Sequence, residues 1–87
     1  MNIIDKELIE QKVVDILTKM TSTPPEDIKP TSTIKDDLGL DSLDVAELSV
    51  DLETEYQINI ALWEFEKLTT VGAVVEYLDS VINPVGM

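Results

Sequence analysis

The chain has 87 residues, room for one small domain whose folding buries only roughly 60–70% of the surface its unfolded form exposes. It has no cysteine and no histidine, which excludes disulfides, thiolate nucleophiles, and the commonest general base and metal ligand. Eighteen acids against six lysines give a net charge of −12, a surface that repels nucleic-acid phosphate and anionic lipid and attracts basic protein patches.

With carboxylates, serines and lysines as the only reactive groups, the expectation is a protein that is not an enzyme and holds no metal. No apolar run approaches the ~18 residues of a membrane span. The N-terminus, MNIIDKELIEQK, carries acids early and does not read as a signal peptide. A cytoplasmic protein that binds neither membrane nor nucleic acid is therefore expected. The charge is uneven: Asp36 to Glu66 holds ten acids and no lysine, a net of −10, and the remainder holds eight acids and six lysines, a net of −2.

The first element is predicted as a helix from about Asp5 to Lys19. Ile9, Val13, Ile16, Leu17 and Met20 share one helical face, Asp5 suits the N-cap, and Glu7 and Lys19 suit the two ends of the helix dipole. Thr21 to Asp41 is a long connection with three of the four prolines. Loops of that length are usually functional or partly structured. Within it Thr23-Pro24-Pro25-Glu26-Asp27 can form one short helical turn with a threonine cap, and Ile28, Ile34, Leu38 and Leu40 are expected to pin the loop over the helices. A second long helix starts at Asp41-Ser42 and runs to Tyr56. Leu62 to Lys67 reads as a short helix or single turn. Thr69-Thr70 offers a cap for a last helix, about Val71 to Ile82, with Val71, Val74, Val75, Leu78 and Ile82 on one face, stopped by Asn83-Pro84. The expected fold is all-α: a small four-helix bundle of three main helices and one short one, with a long first loop and no strand. It forms a single domain over 1–87, with an ordered core at about 5–82 and a tail at 83–87.

The central helix carries the signal. On a helical wheel Val45, Leu48, Leu52 and Tyr56 form a core face. Asp44, Glu47, Asp51 and Glu55 form an acidic stripe beside it, and Leu43, Ala46 and Val50 a second apolar strip. Charge runs on helices are usually solvated faces. Here three adjacent like-charge pairs cost roughly 1 kcal/mol in a domain with little to spare, and interleaved lysines would have avoided that cost. An apolar strip rimmed by charge is instead the anatomy of a docking site. A serine at a helix start is ordinarily a cap, but Asp41 can cap here, which would leave the Ser42 hydroxyl free beside N–H donors that suit a phosphate. Nothing in the sequence is placed to activate that hydroxyl, so chemistry at Ser42 needs another protein.

The run Asp37-Leu38-Gly39-Leu40-Asp41-Ser42-Leu43-Asp44, with Glu47-Leu48, Leu52-Glu53 and the later Glu66-Lys67-Leu68-Thr69-Thr70-Val71, resembles the acyl carrier protein signature. The resemblance extends over essentially the whole domain. It implies a four-helix bundle in which Ser42 is joined through a phosphodiester to 4′-phosphopantetheine. A separate phosphopantetheinyl transferase would supply that arm from coenzyme A, and its thiol would carry acyl groups as thioesters. It implies a partner-recognition helix with Asp41, Leu43, Asp44, Glu47, Val50, Asp51 and Glu53 facing acyl-processing enzymes that present basic patches, and a monomeric carrier. It implies an acyl chain lying among Leu48, Leu52, Ile60, Leu68, Val74 and Leu78.

The sequence departs from the family pattern at Ala61-Leu62-Trp63-Glu64-Phe65, where proline followed by acids is usual, and at Ser49 and Asp51, where apolar residues are usual. Three large apolar side chains within four positions exceed what one helical turn can bury. Trp63 or Leu62 is therefore expected at the surface against a dedicated partner. The departures favour a specialised polyketide or lipid pathway over general fatty-acid synthesis. A carrier of aminoacyl groups and an unmodified acidic interaction subunit are the alternatives on this scaffold. Calcium binding by Asp37, Gly39 and Asp41 fits poorly, because Ser42 stands where an EF-hand needs glycine.

Overall fold

Three apolar helical stripes need mutual burial, and the chain supplies them in Lys6–Thr21 (α1), Ser42–Tyr56 (α2) and Val71–Ile82 (α4), with the one-turn helix Leu62–Phe65 (α3) between the last two. The computed structural model describes residues 4–84, so most of the tail expected at 83–87 lies outside the described residues. Among those described, the only β-type pairing is an isolated antiparallel bridge between Thr33 and Thr70, and the fold is all-α as expected.

Helix α1 runs to Thr21, two residues past the expected end, and Ser22 closes it in a left-handed conformation at φ 59°. The Asp5 carbonyl accepts from the Leu8 and Ile9 N–H groups at 2.9 and 3.1 Å. Its carboxylate makes no capping bond, so Asp5 starts the helix through its backbone alone. Ile9, Val13 and Leu17 are wholly buried, and Ile16 and Met20 sit at the edge of the same core. Helix α1 packs chiefly on α4. At the far end of that pair the Asn83 side chain brackets Ile4, accepting from its N–H at 3.1 Å and donating to its carbonyl at 2.6 Å. Lys6 also pairs with Glu76 across this seam.

The long connection is held at several points. Its short turn is a 3₁₀ helix over Pro25–Asp27. Contrary to expectation Thr23 does not cap it; Pro24 stands at the N-cap, and the Thr23 hydroxyl lies 2.9 Å from that of Thr21. The threonine is one residue too early, and proline's fixed φ starts the turn without a side-chain cap. Ile28, Ile34 and Leu40 are buried and Leu38 partly so, which makes them the anchors the sequence suggested.

The first N–H groups of a helix have no partner within it. In α4 they go to the loop: Gly72 donates to the Pro30 carbonyl at 2.8 Å and Val71 to the Ser32 carbonyl at 3.0 Å. Ile34 returns a bond to the Thr69 carbonyl at 2.9 Å, and the Thr70 hydroxyl accepts from Ala73 N–H at 3.1 Å. This close approach favours glycine at position 72, because a Cβ there would stand 3.0 Å from the Pro30 oxygen, tight enough to push the loop back by a few tenths of an ångström. Gly72→Ala is accordingly expected to destabilise the fold by about 1 kcal/mol, although alanine is the better helix former. Urea titration reads this directly, and a variant as stable as the parent would show that the contact does not hold the loop.

Candidate functional site

Helix α2 starts where it does because two aspartates cap each other's backbone. Asp41 Oδ1 accepts from Asp44 N–H at 2.9 Å, and Asp44 Oδ2 accepts from Asp41 N–H at 3.3 Å. This reciprocal capping box takes the role a serine would usually fill. Ser42 is the first helical residue, it is exposed, and its hydroxyl forms no hydrogen bond among the described residues. The backbone around it is nevertheless anchored on both sides. Leu40 before it and Val45 after it are both buried, and Leu40 N–H donates to the Ile34 carbonyl at 3.1 Å. Gly39 turns the chain into the helix at φ +75°, a conformation that suits glycine. Thr33 and Asp37 brace the turn by exchanging two backbone-to-side-chain bonds, each of 2.8 Å.

Below Ser42 the core face of α2 is Val45, Leu48, Ser49 and Leu52, with Tyr56 half-buried. Ser49 was not expected there. It is accommodated because its hydroxyl donates back to the Ala46 carbonyl at 2.7 Å, which leaves the buried oxygen of Ser49 paired. On the outer side Leu43 and Val50 are 72% and 55% exposed, and together with Ala46, Glu47 and Asp51 they border one open depression. Asp41, Glu47 and Asp51 are exposed and Asp44 is half-buried. Glu53 corrects the expected recognition face. Its carboxylate turns inward and accepts from the Ile60 N–H at 2.7 Å, because the connection to α3 leaves that donor without a backbone partner. Glu55, at the end of the acidic stripe, is shared with Lys12 of α1 at 3.5 Å.

Helix α3 buries one of its three large apolar residues. Phe65 is 2% exposed and meets Tyr77 of α4 edge-on, with ring centroids 6.3 Å apart at 72°. Burial, and then the neighbouring Glu64 carboxylate, raise the Tyr77 phenol above its ordinary pKa. Leu62 and Trp63 are left outside at 40% and 64% exposure, and the Lys67 ammonium lies 5.1 Å from the Trp63 ring centroid.

The expected acyl-lining set is only partly assembled around open space. A cavity of about 220 Å³ lies one turn from Ser42, lined by Ile34, Val45 and Leu68 with Thr33, Lys35, Asp36, Glu66 and Thr69 around them. Of the six expected liners only Leu68 borders it; Leu48, Leu52, Ile60, Val74 and Leu78 are core. Helical periodicity identifies side chains that pack, whereas this space opens where the long loop bridges α2 and the turn before α4. Ile34 and Val45 were legible as anchor and core residues, but no sequence signal marks them as cavity walls. Among the described residues no cluster of acids could hold a metal ion, and no helix is long and apolar enough to cross a membrane.

The described residues thus form a small helical bundle with an exposed serine at the start of α2, above an acidic face. Residues 11–78 match the family model described as "Phosphopantetheine attachment site". The chain is 42% identical over 71 residues to an acyl carrier protein of Amoebophilus asiaticus, covering 82% of this chain and 89% of that one. It is 40% identical over 70 residues to an acyl carrier protein of Chlorobium phaeobacteroides, covering 80% and 90%. Its fold superposes on the solved acyl carrier protein from Enterococcus faecalis with a TM-score of 0.78 at 35% identity, over 90% of this chain and 99% of that structure. The chain belongs to the acyl carrier protein family. Membership implies a 4′-phosphopantetheine prosthetic group and dealings with acyl-processing enzymes. The residues present fit such a group, since the Ser42 hydroxyl is exposed and released from capping.

The division of labour between the two residues at the helix start is testable. Asp41→Ala should cost about 1 kcal/mol, the usual loss of a cap, and Ser42→Ala should be nearly neutral. Chemical denaturation that ranked the two the other way would make the serine the cap.

Proposed function

We propose that Ser42 is the attachment point of the phosphopantetheine arm and that the exposed face of α2 recruits the enzymes that load and unload it. The observation that carries this reading is the solvent-facing Ser42 hydroxyl, freed by the Asp41–Asp44 capping box. When bound, the arm supplies a terminal thiol for carrying acyl groups as thioesters, chemistry a chain without cysteine lacks. The chain's own residues position and expose the tether. Leu40 and Val45 hold the backbone on either side, the capping box keeps the first helical turn formed, and among the described residues no side chain is bonded to the Ser42 hydroxyl to take its proton. A separate transferase must do so, with coenzyme A as the donor of the arm.

The docking residues in this reading are Asp41, Leu43, Asp44, Glu47, Val50 and Asp51, with Trp63 of α3 beside them. Glu53 is left out because its carboxylate serves Ile60. The partners are enzymes with a lysine- and arginine-rich rim around an apolar patch that receives Leu43 and Val50. Exposed ion pairs are worth only ~0.2–1 kcal/mol each, so such docking is weak, salt-sensitive and quickly reversed, as a shuttle requires. The exposed Leu62 and Trp63 support service in a specialised polyketide or lipid pathway, because a general carrier gains nothing from leaving an indole in water.

Incubation with coenzyme A and a phosphopantetheinyl transferase should add one arm per chain by intact mass, with none added to Ser42→Ala. Modification of that variant would move the site elsewhere, and a wild-type serine that stays bare would leave an acidic interaction subunit. With the arm in place, Glu47→Lys should weaken binding to an acyl-processing enzyme about three- to tenfold at low salt and progressively less as salt rises. Surface plasmon resonance across a salt series measures this, and an effect independent of ionic strength would argue against electrostatic docking.

A further inference from the structure

The outer face of α3 holds an aromatic platform that is fixed from behind. Phe65 buries its ring edge-on against Tyr77, and the Tyr77 hydroxyl donates to the Glu64 carboxylate at 3.4 Å. The two residues that follow Trp63 are thus tied to α4, while the indole stands outside at 64% exposure beside Leu62. An aromatic side chain held in this way gives up little conformational freedom when a partner covers it.

The ring already holds a cation. Lys67 is the only lysine from Asp36 to Met87, a stretch with 12 acids and no arginine. Among the described residues its ammonium nevertheless pairs with no carboxylate, and it lies 5.1 Å from the Trp63 ring centroid. The electron-rich face of an indole attracts a cation, and more strongly as water is excluded. Both Trp63 and Lys67 are exposed, so their contact stays wet in the free protein. A guanidinium is flat, stacks on aromatic faces and is more weakly hydrated than an ammonium. An arginine carried in by a partner therefore gains more from this ring than Lys67 does, and the surrounding acids draw it in.

We propose that Trp63 is a specificity contact, which receives an arginine from the docking surface of a dedicated enzyme in the place now held by Lys67. An apolar group beside that arginine covers Leu62. Lys67 is then a built-in competitor for the ring, and enzymes without an arginine at this position dock through α2 alone. The inference rests on the docking reading of α2 and adds to it the chemistry of one group on the partner.

The test uses an end-capped peptide of leucines and arginines, and a twin with lysine in place of each arginine. Trp63 is the only tryptophan, so its fluorescence reports binding at this face, and calorimetry serves the variants that lack it. At low salt the wild-type protein should bind the arginine peptide about three- to tenfold more tightly than the lysine twin. Trp63→Leu keeps apolar bulk at an exposed position and should bind the two peptides equally. Lys67→Met should tighten the arginine peptide more in the wild-type background than in Trp63→Leu, because only there does it free a ring. A wild-type protein without arginine preference, including one that binds neither peptide, would overturn the inference. So would a preference that survives Trp63→Leu, or a Lys67 effect of equal size in both backgrounds. Glu47→Lys examines the underlying reading separately: it should weaken both peptides alike, and if it weakens neither, docking on α2 fails whatever the arginine preference.

Discussion

The hydrogen bonds between the long loop and the first turn of α4 are the constraint on which the rest of the structure depends. Two distant chain segments, 30–34 and 69–72, meet there. The Pro30 and Ser32 carbonyls receive the Gly72 and Val71 N–H groups, and Ile34 bonds to Thr69. A loop of this length would otherwise carry a heavy burden of unpaired backbone and lost entropy. Because it answers donors that α4 cannot satisfy itself, the loop and the last helix complete one another. The consequence reaches Ser42, since the loop that is fixed at Ile34 also accepts from Leu40 N–H at that residue's carbonyl, two positions before the serine.

Helix α2 shows how stability and function are kept apart on one element. Its inward face is conventional, and Ser49 is tolerated there by a local bond to Ala46. Its start is secured by acids, so the serine is not needed for folding. Its outer face accepts the repulsion of closely spaced carboxylates, relieved only at Glu55 by Lys12. Under the proposed reading, a basic partner surface would offset that repulsion.

Helix α3 is too short for its apolar content, and the way it resolves that conflict shapes two properties at once. One turn can direct a single large side chain inward, and Phe65 takes that place. Leu62 and Trp63 remain outside, where Lys67 covers part of the indole. The inward ring fills the core, and the outward ring adds exposed apolar surface beside α2. Both follow from aromatic residues in an element that in this family is usually polar.

The amino-acid sequence by itself determined the helices, their core faces and the candidate serine at the start of α2. Val45, Leu48 and Leu52 recur at helical spacing, and the order Asp41-Ser42-Leu43-Asp44 places a potential cap next to a hydroxyl. Such local patterns are readable because propensity, capping and periodicity act over a few residues. What only the tertiary structure decided were relations between distant segments. Glu53 looked like one more surface acid until the connection to α3 presented Ile60 N–H to it. Leu48, Leu52, Val74 and Leu78 are packed core, and of the residues expected along an acyl chain only Leu68 borders the open space. The open volume instead lies where the loop spans a gap between helices. Empty space is a property of how separate elements meet, and the spacing of residues along one element does not encode it.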